Sequence, residues 1–173
     1  MAIIINKLGE HRNEDAIQLL LNYMITSSFY IASNCRGCIG SSVQDVVSSF
    51  AFTKQMYDKA DRKQVSHIII GTKNEEVTVE GLLVIAEAAL NYFYSQGFQS
   101  FYVIHSGSND DAGYWHIHLA VNTINFRDGK RLYETYSVTS DLKNYLSLQF
   151  NELQWFSIND NSTSWEMRSV NFQ

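Results

Sequence analysis

Between Tyr114 and Asn122 the chain alternates with a period of two: Tyr-Trp-His-Ile-His-Leu-Ala-Val-Asn. That period fits a strand, because successive side chains of a strand point to opposite faces. Trp115, Ile117, Leu119 and Val121 share one face and need a core to pack against. His116, His118 and Asn122 share the other, with small Ala120 between them. The run Phe101 to His105 is also β-prone and ends on a further imidazole. The polar loop between the two, Ser106 to Gly113, is too short for a crossover, so the strands are expected to pair antiparallel. Pairing brings His105 beside His116 and His118. Polar residues on a sheet face are ordinarily just solvated. Three of the chain's five histidines on one strand pair point instead to a site.

The remaining elements follow from the same kind of pattern. Residues 2–6 read as a short apolar strand. Asn13 is placed to cap a helix whose stripe is Ile17, Leu20, Leu21 and Met24, with Tyr23 flanking that stripe near the C-terminal end. Ser28 to Ala32 is a loop or short strand. Val43, Val46, Val47, Phe50 and Tyr57 mark a second helix. Val65 to Thr72 is apolar on both faces and so belongs at the centre of a sheet. Thr78 caps a third helix that stops at Gly97. Asp128-Gly129 signals a turn, after which Arg131 to Tyr136 is expected to return as a strand. Ser140 caps a last helix with Leu142, Tyr145, Leu146, Gln149 and Leu153 inward. The tail, 159–173, is expected to be loose, with Trp165 and Phe172 as docking candidates. These elements predict a single α+β domain over 1–173, a mainly antiparallel central sheet with helices on one face and the histidines on the other.

Composition limits the function classes. Hydrophobic content of 45% and charged content of 18% are globular values. No run is long and apolar enough to span a bilayer. Met1 to Lys7 turns polar too soon for a secretory signal, so the expected compartment is the cytoplasm, with no membrane partner. Cys35 and Cys38 form one C-x-x-C with no second pair, and read as reduced thiols in a loop. The net charge of −5 argues against binding nucleic acid by general electrostatics, but not against a local basic surface. Two clusters qualify: Lys54, Lys59, Arg62 and Lys63, and Arg127, Lys130 and Arg131. The ordinary reading of each is a solvated face.

A three-imidazole site holding a divalent ion leaves coordination positions open. The ion then acts as a Lewis acid on phosphate oxygens, with zinc hydrolysis and redox iron also possible. Which nucleophile stands nearby decides the chemistry. Composition alone does not choose Tyr23 among ten tyrosines.

A resemblance does. His105, then His116-Ile117-His118 through Asn122, then Arg127-Asp128-Gly129-Lys130, resembles the third motif of plasmid and conjugative-element relaxases. These are mobilisation endonucleases of the HUH superfamily, and the VirD2-like or MobP-type group is the nearest in pattern. Asn22-Tyr23-Met24-Ile25 resembles the family's N-terminal motif. Tyr30 to Cys35 resembles a segment recurrent shortly after it, and Tyr57 to Ile70, with His67, the stretch before the second motif. The similarity covers about residues 2–150. The chain departs from the pattern in three respects. The first is a spacing of 11 positions from His105 to His116, with Gly107 in place of an Asp; the second is Gly71, where Ser is frequent; the third is the acidic net charge, which implies that DNA affinity relies on accessory proteins.

The resemblance implies a metal-dependent endonuclease that nicks one DNA strand at an origin of transfer. Tyr23 would be the nucleophile, with Tyr30 and then His11 as alternatives. His105, His116 and His118 would bind Mg²⁺ or Mn²⁺, and Asn122 and His67 would support them. Arg127, Lys130 and Arg131 would contact DNA. Single-stranded origin DNA, accessory relaxosome proteins and a coupling protein are the implied partners. Two other readings stay open. A rolling-circle initiator or transposase of the same superfamily would carry its Tyr on a later helix, where Tyr145 is the candidate. A non-catalytic DNA-binding module with the same fold would form no adduct.

Overall fold

The computed structural model describes residues 1–8, 11–107, 113–133 and 136–160. The chain runs β1 (Ala2–Lys7), α1 (Ala16–Ile25), β2 (Tyr30–Arg36), α2 (Val43–Met56), β3 (Val65–Lys73), α3 (Val79–Ser95), β4 (Ser100–His105), β5 (Tyr114–Asn122), α4 (Tyr136–Gln149) and β6 (Trp155–Asp160). One six-stranded sheet has the order β2-β4-β5-β3-β1-β6. Every neighbouring pair is antiparallel except β1 with β6. The α+β, mainly antiparallel class expected from the sequence is the class observed.

The central strands are those whose sequence is apolar in both phases. β1 (Ala-Ile-Ile-Ile-Asn-Lys) is buried throughout, and β3 is buried from Val65 to Thr72. Period-two alternation then divides each strand between two cores. Ala2, Ile4, Ile68, Ile70, Ile117, Leu119 and Val121 face α3 and α4, together with Leu82, Ile85, Phe93, Leu142 and Leu146. Burying each such side chain contributes about 1.5–3 kcal/mol, before the entropy of ordering it.

The opposite face is not bare. Val65, Phe101, Val103 and Ala120 pack against Ile17, Leu20, Leu21 and Met24 of α1 and Val46 and Phe50 of α2. The one-sided layering expected from the sequence is therefore corrected: helices lie on both faces, and the histidines sit where α1 ends over the sheet. The reason is visible in the stripes of α1 and α2, which need an apolar floor. Phe101, Val103 and Ala120 supply it on the histidine side of β4 and β5.

Local signals mostly act as expected. The Thr78 hydroxyl accepts from the Gly81 N–H, and α3 ends before Gly97 at φ +89°, a conformation suited to glycine. Ser42 and Asp45 form a reciprocal capping box at α2. α1 starts later than expected, with Asp15 rather than Asn13 at its N-cap position. The Asn13 carbonyl still accepts from the Ala16 N–H at 3.0 Å. α4 starts at Tyr136, ahead of Ser140, and Gln149 faces solvent rather than the core. The return strand after Asp128-Gly129 reduces to one bridge, Ile124 to Arg131. β6 occupies part of the stretch expected to be loose. Trp165 and Phe172 lie outside the described residues. No helix among the described residues is long and apolar enough to cross a membrane.

Candidate active site

Strand register builds the site. His105 of β4 stands directly opposite His116 of β5. His118, two residues on, lies between Val103 and Ile69, and His67 pairs with Ala120 one step further. All four are on the face that α1 overhangs, and all are buried. Their rings form a connected group centred on His118. Ring centroids are 4.6 Å apart for His105 and His118, 6.3 Å for His116 and His118, and 5.4 Å for the stacked His67 and His118. His11 extends the group, with its ring 6.4 Å from His67. All five histidines of the chain thus lie in one cluster.

Two hydrogen bonds fix the rings. His105 Nε2 lies 2.6 Å from the Met24 carbonyl. A carbonyl only accepts, so Nε2 carries the proton and Nδ1 keeps its lone pair. His67 Nε2 lies 3.1 Å from His118 Nδ1. If His118 donates there, its Nε2 remains the lone-pair nitrogen, and His67 takes the place of the acceptor that steadies a metal-ligating imidazole.

Burial sets the charge state. Desolvation holds His118 well below the usual imidazole range, and lowers His105 against the pull of the Met24 carbonyl. Desolvation lowers His67 to about 3 and His11 to about 4, with neighbouring cations adding to both. These rings are neutral at pH 7, as metal ligands must be.

The donor chemistry of His105, His116 and His118 therefore suits a divalent ion. Among the described residues no three His, Cys, Asp or Glu side chains are already arranged to hold one. His105 Nε2 is engaged by the Met24 carbonyl, which ties the end of α1 to the site.

That tie positions Tyr23. α1 places its ring edge-on to His118, with centroids 6.2 Å apart and an interplanar angle of 80°. Tyr30 is the register partner of His105 on β2, but it is 43% exposed and its hydroxyl bonds Ser33 Oγ at 3.0 Å. Tyr145 packs on Tyr92 against the α3–α4 core, on the far face of the sheet.

The other residues singled out in the sequence have partners of their own. Asn122 is fully buried; its Oδ1 accepts from Lys54 Nζ, and its Nδ2 donates to Gln99 Oε1 at 2.7 Å and the Phe50 carbonyl at 3.2 Å. It locks β5 to α2. Arg127 donates to the Ser95 and Tyr94 carbonyls at 2.9 and 3.0 Å, closing the C-terminus of α3. Lys130 pairs with Asp128 at 2.9 Å in solvent. Arg131 bonds Asp61 Oδ1 at 2.9 Å and lines a basic cleft with Arg12, Arg62, Lys63 and Tyr133. Sequence reasoning missed Arg12, Tyr133 and the Met24 carbonyl. Arg62, Lys63 and Arg131, from the two basic clusters, were the signal of the cleft that the sequence carried. Cys35 and Cys38 are free thiols whose pKa values burial raises, which suits inert residues.

A family model described as relaxase, MobA/VirD2-like, nuclease domain, matches residues 26–147, or 122 of 173 residues. The match includes His67, His105, His116, His118 and Tyr30, and begins three residues after Tyr23. A comparison with curated proteins found no match.

Proposed function

The chain belongs to the MobA/VirD2-like relaxase family and is a DNA-nicking endonuclease, and from that premise we propose that it cuts by transesterification at Tyr23. The observation that carries this reading is the contact of Tyr23 with His118. α1 is held there by the His105–Met24 bond, so the phenol is delivered to the imidazoles by a rigid helix rather than by a loop.

In this reading single-stranded DNA at an origin of transfer lies across the histidine face, with the scissile phosphate between Tyr23 and the imidazoles. The Tyr23 oxygen forms a bond to phosphorus as the bond to the 3′ oxygen breaks. The phenolic proton leaves Tyr23, and the departing 3′ oxygen takes one up. A 5′-phosphotyrosine link and a free 3′-OH result. One phosphoester replaces another, so the strand can be rejoined after transfer. His105, His116 and His118 would hold Mg²⁺ or Mn²⁺, which supplies Lewis acidity to the phosphoryl oxygens. His67 would orient His118 through the Nε2 to Nδ1 contact. Burial keeps His105, His118 and His67 neutral, so a bound cation would retain its full charge toward phosphate. The cellular setting that fits is mobilisation with accessory relaxosome proteins and a coupling protein.

The test is mass spectrometry of the protein after incubation with single-stranded origin DNA and Mn²⁺. The wild-type chain gains the mass of the fragment downstream of the nick, linked through its 5′ phosphate, while the upstream fragment is released with a free 3′-OH. Tyr23→Phe gives no adduct while still taking up metal, and His116→Ala gives metal-independent background only. An adduct retained in Tyr23→Phe would move the nucleophile to Tyr30 or His11.

A further inference from the structure

Where β3 begins and β5 ends, the surface opens into a cleft of about 450 Å³ lined by Arg12, Arg62, Lys63, Thr123, Arg131 and Tyr133. Four cations meet here in a chain of net charge −5. One carboxylate, Asp61, serves two of them: its Oδ1 bonds Arg131 at 2.9 Å and its Oδ2 lies 3.3 Å from Arg62 Nε. The positive field reaches inward, since Arg131 adds to the desolvation that lowers buried Lys54, and Lys63 does so for His11.

Two further observations set the cleft apart from a solvated basic face. Arg62 sits at φ +65°, a left-handed conformation that costs an L residue energy and that clusters at ligand sites. Tyr133 is 71% exposed at the cleft, a large ring that the fold itself does not bury. The position is also telling. The Gln64 N–H donates to the His11 carbonyl at 2.7 Å, and the His11 ring stands against His67, so the cleft continues the histidine row. Thr123 directly follows Asn122, the last residue of β5, which stands four residues or about 13 Å along the strand from His118.

We propose that this cleft is a subsite for single-stranded DNA beside the scissile phosphate, its cations gripping the phosphodiester backbone and Tyr133 stacking one base. The proposal rests on the DNA-nicking reading and adds to it a flank and a set of residues. Phosphate contacts supply affinity without sequence preference, and aromatic stacking requires a base free of its duplex partner.

Anisotropy of labelled oligothymidine, titrated with the full-length chain across a range of salt, tests it. Arg12→Ala combined with Arg62→Gly is the informative variant, because glycine suits the left-handed position and loss of binding then does not come from loss of fold. Its binding should weaken roughly tenfold at low salt, and the slope of log K against log salt should fall by about 1.4, near 0.7 for each cation lost on a single strand. Tyr133→Ala should weaken oligothymidine about tenfold with the slope kept, and leave duplex binding unchanged. Lys143→Ala, on α4 across the sheet, removes one positive charge remote from the cleft and should keep the wild-type slope, where one cleft cation lost would lower it by about 0.7. An unaltered slope in the double variant, or equal weakening on duplex and single strand by Tyr133→Ala, overturns the proposal. Covalent capture is a separate readout: an idle cleft would leave Tyr23 capture in place, and a failed capture would leave the salt slopes to be read.

Discussion

His118 receives a different neighbour on each side: His105, His116, His67 and the edge of Tyr23. Packing so many imidazoles out of water has a consequence for stability. An unfolded imidazole protonates near pH 6.5, whereas His67 in the fold does so near 3 and His11 near 4. Between those values the unfolded chain binds more protons than the native one. The stability contributed by these neutral rings is therefore complete above pH 6.5 and falls as acid is added. Fully buried His67 accounts for roughly 5 kcal/mol over the whole window, of which about 2 kcal/mol is lost by pH 5. His11 is partly exposed and adds a smaller share. Urea midpoints of metal-free protein should drop from pH 7 to pH 5, and His67→Gln should flatten the decline. Equal midpoints at the two pH values would mean that the rings are not held neutral by burial.

At the scale of elements, sequence periodicity worked where one strand or helix carries its own pattern. The β5 alternation located the histidine face, and the stripe of α1 matched Ile17, Leu20, Leu21 and Met24. It failed where the partner is remote. β6 (Trp-Phe-Ser-Ile-Asn-Asp) has no clean alternation, and it exists because β1, far off in the chain, offers a parallel edge. Asn122 shares a face with His116 and His118, yet its partners come from α2 and the start of β4, which no spacing in β5 can reveal. Arg127, expected at DNA, also closes α3, because the free carbonyls of a helix end attract a nearby guanidinium, a partner that no local spacing reveals. The Asn122 node gives a direct test of the scaffold role. Asn122→Ala leaves the buried Lys54 amine without its acceptor and should cost about 3 kcal/mol. For a domain of this size the melting temperature should fall by roughly 6–12 °C. The variant should still form the Tyr23 adduct below its melting temperature. A small thermal shift with lost adduct would place Asn122 in the chemistry instead.

Over the whole molecule, the site depends on a sheet closed at its far edge. The histidines lie on β4, β5 and β3, and β3 is held on its other side by β1. β1 is buried on both faces and would be an apolar edge if nothing paired with it; β6 occupies that edge in parallel register, from Ala2–Trp155 to Lys7–Asp160. Ile158 covers Ile3, Ile5 and Ile69 on the histidine side, while Trp155 packs into the α3–α4 core with its indole N–H on the Phe150 carbonyl at 3.0 Å. An unpaired strand reading Ala-Ile-Ile-Ile is a template for association, and its nearest charge, Lys7, stands at its end. A chain ended after Gln154 should accordingly leave solution or run as oligomers on size exclusion, whereas one ended after Asp160 keeps β6 and should run as the full-length chain does. If the shorter chain elutes unchanged and melts within about 2 °C of the longer one, β6 is dispensable and β1 is protected in some other way.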